Sequence, residues 1–115
     1  MCSKALLQQI TQEVATKAQE ILGNRLREVI LFGSYARGDA DDESDIDIII
    51  LADVGDDEQS RPFDRELSEV SSEIGLETNK VLCILLYDMN LFKQRLPMSP
   101  FYRNVMNDGV KVYAA

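Results

Sequence analysis

Apolar residues recur at helical spacing in two long segments of the chain. The first segment begins after Ser3, which suits a helix N-cap, and ends before Gly23. The second begins at Pro62, which suits the first position of a helix, and ends before Gly75. Residues 52–60 are acidic and lack apolar periodicity. The pattern therefore predicts two long amphipathic helices, the second preceded by a solvated loop.

Three short apolar runs predict the strands of a buried sheet. The first covers residues 29–32 and ends at Gly33, and the third covers residues 81–87. The second covers residues 45–51, where polar and apolar residues alternate before the run becomes wholly apolar. We therefore expect two core strands joined by a short connection, and a third strand after the second long helix.

The C-terminal part of the chain predicts two short helices and an edge strand. Asp88 suits the N-cap of a first helix that Pro97 ends, and residues 99–107 have a second helical pattern. Gly109 then turns the chain into the short run 110–113. This order of elements predicts an α/β sandwich with the helices mainly on one face, as one domain over residues 1–115.

Composition and charge exclude several classes of function. The chain has no histidine, so Ser-His-Asp triads and imidazole-ligated zinc sites are excluded, and carboxylates are the obvious metal ligands. Its net charge is −8, and between Ala36 and Ser60 the acids are opposed by the single cation Arg37. Direct binding of nucleic acid would need an excess of positive charge. The acidity therefore argues against a nucleic-acid ligand and favours a divalent cation.

Cysteine usage and hydropathy indicate the compartment. Cys2 and Cys83 give neither a disulfide framework nor a zinc spacing, which favours a reducing environment. The sequence has no secretory leader pattern, and no apolar run approaches the roughly 18 residues of a membrane span. We therefore expect a soluble cytoplasmic protein with no membrane partner.

The candidate chemistry lies between the first two predicted strands. Gly33 and Ser34 follow the first strand directly, and Asp45 and Asp47 begin the second after ten intervening residues. If these strands are antiparallel neighbours, Ser34 lies beside Asp45. A short helical turn over residues 35–38 fits within the connection. Two separated segments would then form one site.

These residue types suit a metal-bound nucleoside triphosphate. Gly33 allows close backbone approach, and the N–H groups after it and the Ser34 hydroxyl can cradle phosphate oxygens. Asp45 and Asp47 are two apart on a strand, so they emerge from the same face and repel each other unless Mg²⁺ or Mn²⁺ lies between them. Arg37 is placed either to meet a phosphate or to balance the acids. A lone Gly-Ser is usually a turn and a lone Asp-x-Asp a solvated face, so it is their conjunction that favours a catalytic site.

The motif Gly33-Ser34-x10-Asp45-x-Asp47 resembles the signature of the DNA polymerase β-like nucleotidyltransferases. The short chain is similar to the minimal nucleotidyltransferases of that superfamily, and the segment from Pro100 to Val105 resembles their tails. The resemblance implies an α-β-α-β-α-β core with a mixed sheet. It also implies Mg²⁺ at the two aspartates, ATP phosphates at the Gly-Ser turn, and transfer of a nucleoside monophosphate, chiefly AMP, to a hydroxyl group.

Active members of this family add a third carboxylate from the third core strand. Here that strand has no acid before Asp88, which follows its apolar run, while Glu77 precedes it. If the second and third strands are parallel, only Glu77 lies at the end nearest Asp45 and Asp47, and Glu77 is the candidate third carboxylate. Without such a group a site can bind Mg-ATP, but its rate of transfer is in question.

The resemblance alone implies a partner. Minimal members are often paired with a HEPN-domain toxin, which the nucleotidyltransferase neutralises as an antitoxin by binding it or by transferring AMP to it. Three hypotheses stay open: a transferase that modifies a partner protein, an inactive nucleotide-binding antitoxin that acts by binding, and an acidic interaction domain with no ligand. Nucleotide preference and assembly as a homo- or hetero-oligomer also stay open. Phe101, Tyr102 and Tyr113 suit either an interface or the core, and we favour the core.

Overall fold

The computed structural model describes residues 2–115, which form one four-stranded sheet with helices packed on its faces. In chain order the elements are α1 (Lys4–Leu22), a 3₁₀ turn (Gly23–Arg25), β1 (Leu26–Phe32), α2 (Ser34–Arg37), β2 (Ile46–Ala52), α3 (Asp57–Thr78), β3 (Leu82–Asp88), α4 (Met89–Arg95), α5 (Pro100–Asp108) and β4 (Val110–Ala114).

The sheet is mixed, with the strand order β3-β2-β1-β4. β1 is antiparallel to β2 and to β4, and β2 is parallel to β3. The antiparallel pairing of the first two strands and the mixed α+β architecture are therefore confirmed. In this register Phe32 of β1 is opposite Asp47 of β2, and Asp47 is opposite Cys83 of β3. The register brings the end of β1 to the start of β2.

The two long helices cover one face of the sheet. Ile48 and Ile50 of β2 are fully buried there, together with Val14 of α1 and Ile74 of α3. Ser3 caps α1 as expected, since its Oγ accepts a hydrogen bond from the Leu6 N–H at 3.1 Å. The apolar side chains two residues apart on β2 reach this face, which leaves Asp47 and Ile49 on the other.

The second face is covered in part by the short helices α4 and α5. Ile49 and Leu51 of β2 pack there against Phe92 of α4 and against Tyr102 and Val105 of α5. Asp88 caps α4 as predicted by accepting hydrogen bonds from Asn90 and Leu91, and Ser99 caps α5 by accepting one from Tyr102. By length the helices lie mainly on the face of α1 and α3, while the shorter α4 and α5 lie on the face that carries Asp47.

The start of α3 differs from its prediction. The helix begins at Asp57, so residues 57–60 of the expected loop are helical and Pro62 lies inside the helix. The reason is a capping box, in which the side chain of Asp56 accepts from the Gln59 N–H and Gln59 Oε1 accepts from the Asp56 N–H. α3 also continues through Gly75 and ends before Asn79, which has a positive φ of 57°.

The three C-terminal aromatic residues have different environments. Tyr102 is buried in the core as predicted, and Tyr113 packs, partly buried, against the core on the face of α1 and α3. The core assignment is wrong for Phe101, which is 41% exposed. Across residues 2–115, no helix combines the length and the apolar character that crossing a membrane would require.

Candidate functional site

A tight turn connects β1 to the short helix α2. Gly33 has φ 76° and ψ −156°, and its carbonyl accepts hydrogen bonds from the N–H groups of Ala36 and Arg37, both at 3.1 Å. The Ser34 carbonyl then accepts from Gly38 at 2.9 Å and from Asp39 at 3.1 Å. These bonds fix the turn at the end of β1, and the predicted helical turn lies within one residue of its expected position.

Gly33 lies directly against Asp47. A Cβ added to Gly33 would overlap Asp47 Oδ2 and would lie 3.3 Å from Asp47 Cγ. The positive φ of Gly33 also belongs to a backbone region that is essentially restricted to glycine. The turn and the second aspartate of the motif are therefore in contact, whereas the pair predicted from the spacing was Ser34 beside Asp45.

A second ordered turn leads the chain into β2. Asp41 Oδ1 accepts hydrogen bonds from the Glu43 N–H at 2.9 Å and from the Ser44 hydroxyl at 3.2 Å. Ser44 Oγ in turn accepts from the Asp41 N–H at 2.9 Å. This side-chain network sets the path of the connection just before Asp45. Asp45 is exposed at the end of the connection, and Asp47 is half-buried on β2.

Asp45 and Asp47 interact electrostatically. Burial raises the pKa of Asp47 above its ordinary value, the charge of Asp45 raises it further, and the charge of Arg37 partly opposes the shift. Desolvation and a like charge both disfavour the carboxylate form. A cation held between the two carboxylates would reverse this effect, because it stabilises the charged form.

Arg37 forms an ion pair and also lines a pocket beside the turn. Its Nε lies 3.3 Å from Asp39 Oδ2 in an exposed ion pair, and the side chain also lines a pocket with Gly33, Ser34 and Asp47. Exposed pairs of this kind contribute about 0.2–1 kcal/mol. Since the pair is weak, Arg37 can turn from Asp39 towards an anionic ligand at small cost.

The pocket has a volume of about 310 Å³, within the range of small-molecule sites. Its first wall consists of the turn and strand residues Phe32, Gly33, Ser34, Arg37 and Asp47. Its second wall consists of four residues of α5: Phe101, Asn104, Val105 and Asp108. Of the five residues assigned to the site from sequence, Gly33, Ser34, Arg37 and Asp47 line this pocket; Asp45 is not part of the lining but interacts electrostatically with Asp47.

The wall on α5 is the part of the site that the sequence analysis missed. Its four residues follow the helical spacing i, i+3, i+4 and i+7, which places them on one face of α5. That spacing was a usable signal. It did not identify a site, because only the packing of α5 on the sheet brings this face opposite Asp47.

Cys83 lies beside Asp47 on β3, the strand from which the family resemblance implies a third carboxylate. The two residues are paired in the parallel register, so their side chains emerge on the same face of adjacent strands. Burial raises the pKa of the Cys83 thiol, and the charges of Asp47 and Asp45 raise it further. The neighbour of Asp47 on β3 is thus a neutral thiol.

Neither Glu77 nor Asp88 lines the pocket. Glu77 is exposed on α3, which packs against the opposite face of the sheet, and it remains only a candidate from sequence. Asp88 lies at the far end of β3, where its carboxylate accepts from the N–H groups of Val54 and Gly55. Among the described residues, no three or more His, Cys, Asp or Glu side chains are grouped so as to hold a metal ion.

The described residues form an α+β fold with a mixed sheet, in which a glycine turn lies against a strand aspartate. The chain belongs to the nucleotidyltransferase domain family, whose model matches residues 8–112.

Two similar proteins of Methanocaldococcus jannaschii are named protein adenylyltransferases. One is 37% identical over 89 residues, which cover 77% of this chain and 80% of the relative. The other is 32% identical over 107 residues, which cover 90% of this chain and 96% of the relative. The similarity thus extends over nearly the whole length of the second relative.

Solved structures share the fold at low sequence identity. A toxin–antitoxin structure with AMP-PNP has a TM-score of 0.59 at 18% identity, covering 91% of this chain and 73% of that chain. A tri-AMPylated Shewanella oneidensis HEPN toxin in complex with MNT antitoxin gives 0.55 at 17%, covering 95% and 73%. Spectinomycin adenyltransferase of Enterococcus faecialis, with ATP and spectinomycin, gives 0.64 at 13%, covering 92% of this chain and 55% of that enzyme. These similarities establish the architecture.

Proposed function

We propose that the protein transfers AMP from ATP to a hydroxyl group of a partner protein and releases pyrophosphate, with Mg²⁺ or Mn²⁺ held by Asp45 and Asp47. The observation that carries this proposal is the contact between the Gly33 turn and Asp47 inside one pocket. This contact supports the proposal, because a glycine turn can bind phosphate and an aspartate can bind a metal ion.

The donor set fits a hard divalent cation. Mg²⁺ takes only oxygen ligands and commonly combines one or two carboxylates with waters and substrate phosphates. Asp45 and Asp47 supply two carboxylates, and the pKa of Asp47 is raised by burial and then by the charge of Asp45. When bound, the cation would neutralise the charge of the triphosphate. Binding requires the carboxylate form, so the raised pKa predicts that affinity for the cation begins to fall at a higher pH than at an ordinary aspartate.

The protein's own groups hold the triphosphate at the first wall of the pocket. Gly33 leaves room for close approach, and the Ser34 hydroxyl supplies a hydrogen-bond donor. Arg37 is the cation that lines the pocket and supplies a charge-assisted donor to a phosphate oxygen. Together they orient the triphosphate against Asp47.

Protein as the acceptor is supported by the names of related proteins. The relatives from M. jannaschii are named protein adenylyltransferases, and a structural neighbour is described as a tri-AMPylated HEPN toxin in complex with MNT antitoxin. We propose a HEPN-domain partner of the same kind, bound in a hetero-oligomer. The net charge of −8 favours a partner with a basic surface.

A second candidate function is neutralisation of the partner by binding, without turnover. The specific observation in its favour is Cys83, which stands beside Asp47 without adding a carboxylate. A third acid would serve as base for the attacking hydroxyl or as ligand for a second metal. In this alternative the pocket binds Mg-ATP but does not transfer AMP.

The proposed transfer is tested with purified protein, ATP labelled in the adenosine part, Mg²⁺ and the protein encoded by the neighbouring gene as the candidate partner. We expect label on the partner, reduced about 100-fold or more by Asp45→Asn combined with Asp47→Asn, because charge stabilisation of the transferring phosphoryl is lost. The matched control is Glu66→Gln with Glu69→Gln, which removes two exposed acids of α3, on the opposite face of the sheet.

Label that is equal in the aspartate double variant and in wild type would contradict the proposal. Absence of label with wild type, together with unchanged inhibition of the partner by the double variant, would establish the binding alternative. The control variant is expected to label the partner as wild type does.

A further inference from the structure

The wall on α5 contains none of the groups proposed to hold the triphosphate. Phe101, Asn104 and Asp108 face the pocket from α5, opposite the turn and Asp47. All three are exposed, while the neighbouring Tyr102 and Val105 are buried and fasten the helix to the sheet. The wall therefore presents three side chains of different chemistry on a firmly packed helix.

Phe101 forms a supported aromatic surface. Its ring contacts the ring of Phe32 edge to face, with the centroids 5.7 Å apart and an angle of 87° between the planes. It also contacts Tyr102, with centroids 5.7 Å apart. The two contacts restrain the ring, yet Phe101 remains 41% exposed at the pocket. Such a ring is suited to stack on a flat ligand group, as aromatic side chains do on nucleobases.

Asn104 and Asp108 add polar recognition along the same helix face. The Asn104 amide carries both donors and an acceptor, the combination that pairs with the donor and acceptor edge of adenine. The Asp108 carboxylate accepts hydrogen bonds, as acidic residues do from ribose hydroxyls in nucleotide sites. An aromatic ring, an amide and a carboxylate opposite a phosphate-binding turn match the base, sugar and phosphate parts of a nucleotide.

We infer that the wall on α5 is the nucleoside subsite, in which Phe101 stacks on the base, Asn104 binds its edge and Asp108 binds the ribose. This inference deepens the proposed function and rests on it, because it requires the triphosphate to lie at Gly33 and Asp47. It also assigns the preference for ATP to Asn104. The competing occupant of this wall is the acceptor side chain of the partner protein.

The test compares two ligands that share a triphosphate, Mg-ATP and Mg-tripolyphosphate, by calorimetric titration. Phe101→Ala is expected to lower the affinity for Mg-ATP about tenfold, equivalent to about 1.4 kcal/mol, and to leave the affinity for Mg-tripolyphosphate unchanged. Asn104→Ala is expected to reduce the ratio of ATP to GTP affinity. Met106→Ala and Asn107→Ala are matched controls on the same helix outside the pocket lining, and Met106 is 40% exposed against 41% for Phe101.

Each other outcome overturns the inference. Phe101→Ala and Asn104→Ala could bind Mg-ATP with the same affinity as the controls. That result would assign the wall to another occupant, such as the acceptor. Equal weakening of both ligands would mean that Phe101 only supports the fold. If wild type binds neither ligand, the triphosphate site itself is absent, and the proposed function fails together with this inference. If wild type binds both ligands equally, only the inference fails.

Discussion

Gly33→Ala is expected to lower the affinity for Mg-ATP at least tenfold and to destabilise the fold by about 1–3 kcal/mol. The loss of stability follows from the φ of 76° and ψ of −156° at Gly33, a backbone conformation that residues with a side chain rarely adopt. The loss of affinity has a separate cause, because the added Cβ would overlap Asp47 Oδ2 and displace that carboxylate from the pocket. Calorimetric titration of Mg-ATP and chemical denaturation measure the two effects.

Gly38→Ala separates strain from overlap. Gly38 also has a positive φ, 84°, but an added Cβ there has no atom within 4 Å. This variant is therefore expected to lose about 1 kcal/mol of stability and to retain its affinity for Mg-ATP. Equal loss of affinity in Gly33→Ala and Gly38→Ala would show that the contact between Gly33 and Asp47 does not shape the site.

Cys83→Asp is expected to raise the rate of AMP transfer at least tenfold. Position 83 is paired with Asp47 on the adjacent parallel strand, so an aspartate there would add a carboxylate on the face that carries Asp47. General-base catalysis by a positioned group typically contributes about 10²–10⁴-fold. The same change is expected to lower the stability of the ligand-free protein, because a further negative charge joins Asp45 and Asp47.

Cys83→Asn is the matched control, because it has the shape of aspartate without its charge. Single-turnover assays with labelled ATP and the partner measure both variants. Equal transfer by the two variants would contradict the account of Cys83, and so would a rate in Cys83→Asp no higher than that of wild type.

The strands and the first wall of the site could be predicted from sequence because their signals are local. Apolar runs end at Gly33 and begin beside Asp45, and the ten residues between Ser34 and Asp45 are few enough for two antiparallel neighbours to be joined directly. The conformational freedom of glycine and the alternation of side chains on a strand then place Gly33 and Asp47 together.

The second wall and the neighbour of Asp47 could not be predicted, because both depend on tertiary packing. Phe101 and Asn104 lie on a helix whose burial of Tyr102 and Val105 determines which face meets the pocket. The pairing of Cys83 with Asp47 depends on strand register, and a shift of one residue would point the thiol to the opposite face. The early start of α3 is a different case, since Asp56 and Gln59 have capping-box spacing that was readable in the sequence.

Thermal unfolding with ATP, with Mg²⁺ and with both tests most directly whether the pocket binds a metal-bound triphosphate. We expect a substantial stabilisation of wild type only when ATP and Mg²⁺ are both present. It should be about 2.7 kcal/mol when Mg-ATP is at 100 times its Kd. The Asp45→Asn, Asp47→Asn double variant is expected to show no such shift.

The ligand-free double variant should be no less stable than wild type at neutral pH. Folding raises the pKa of Asp47, so the stability linked to its protonation is present below the unfolded-state pKa and is lost as pH rises through the folded-state pKa. Asparagine avoids this loss of stability. If ATP and Mg²⁺ do not stabilise the double variant, the cause is therefore a loss of binding. A stabilisation of wild type that requires ATP and Mg²⁺ together and vanishes in the double variant is the predicted result. No stabilisation of wild type, or an equal stabilisation of the variant, would contradict the account.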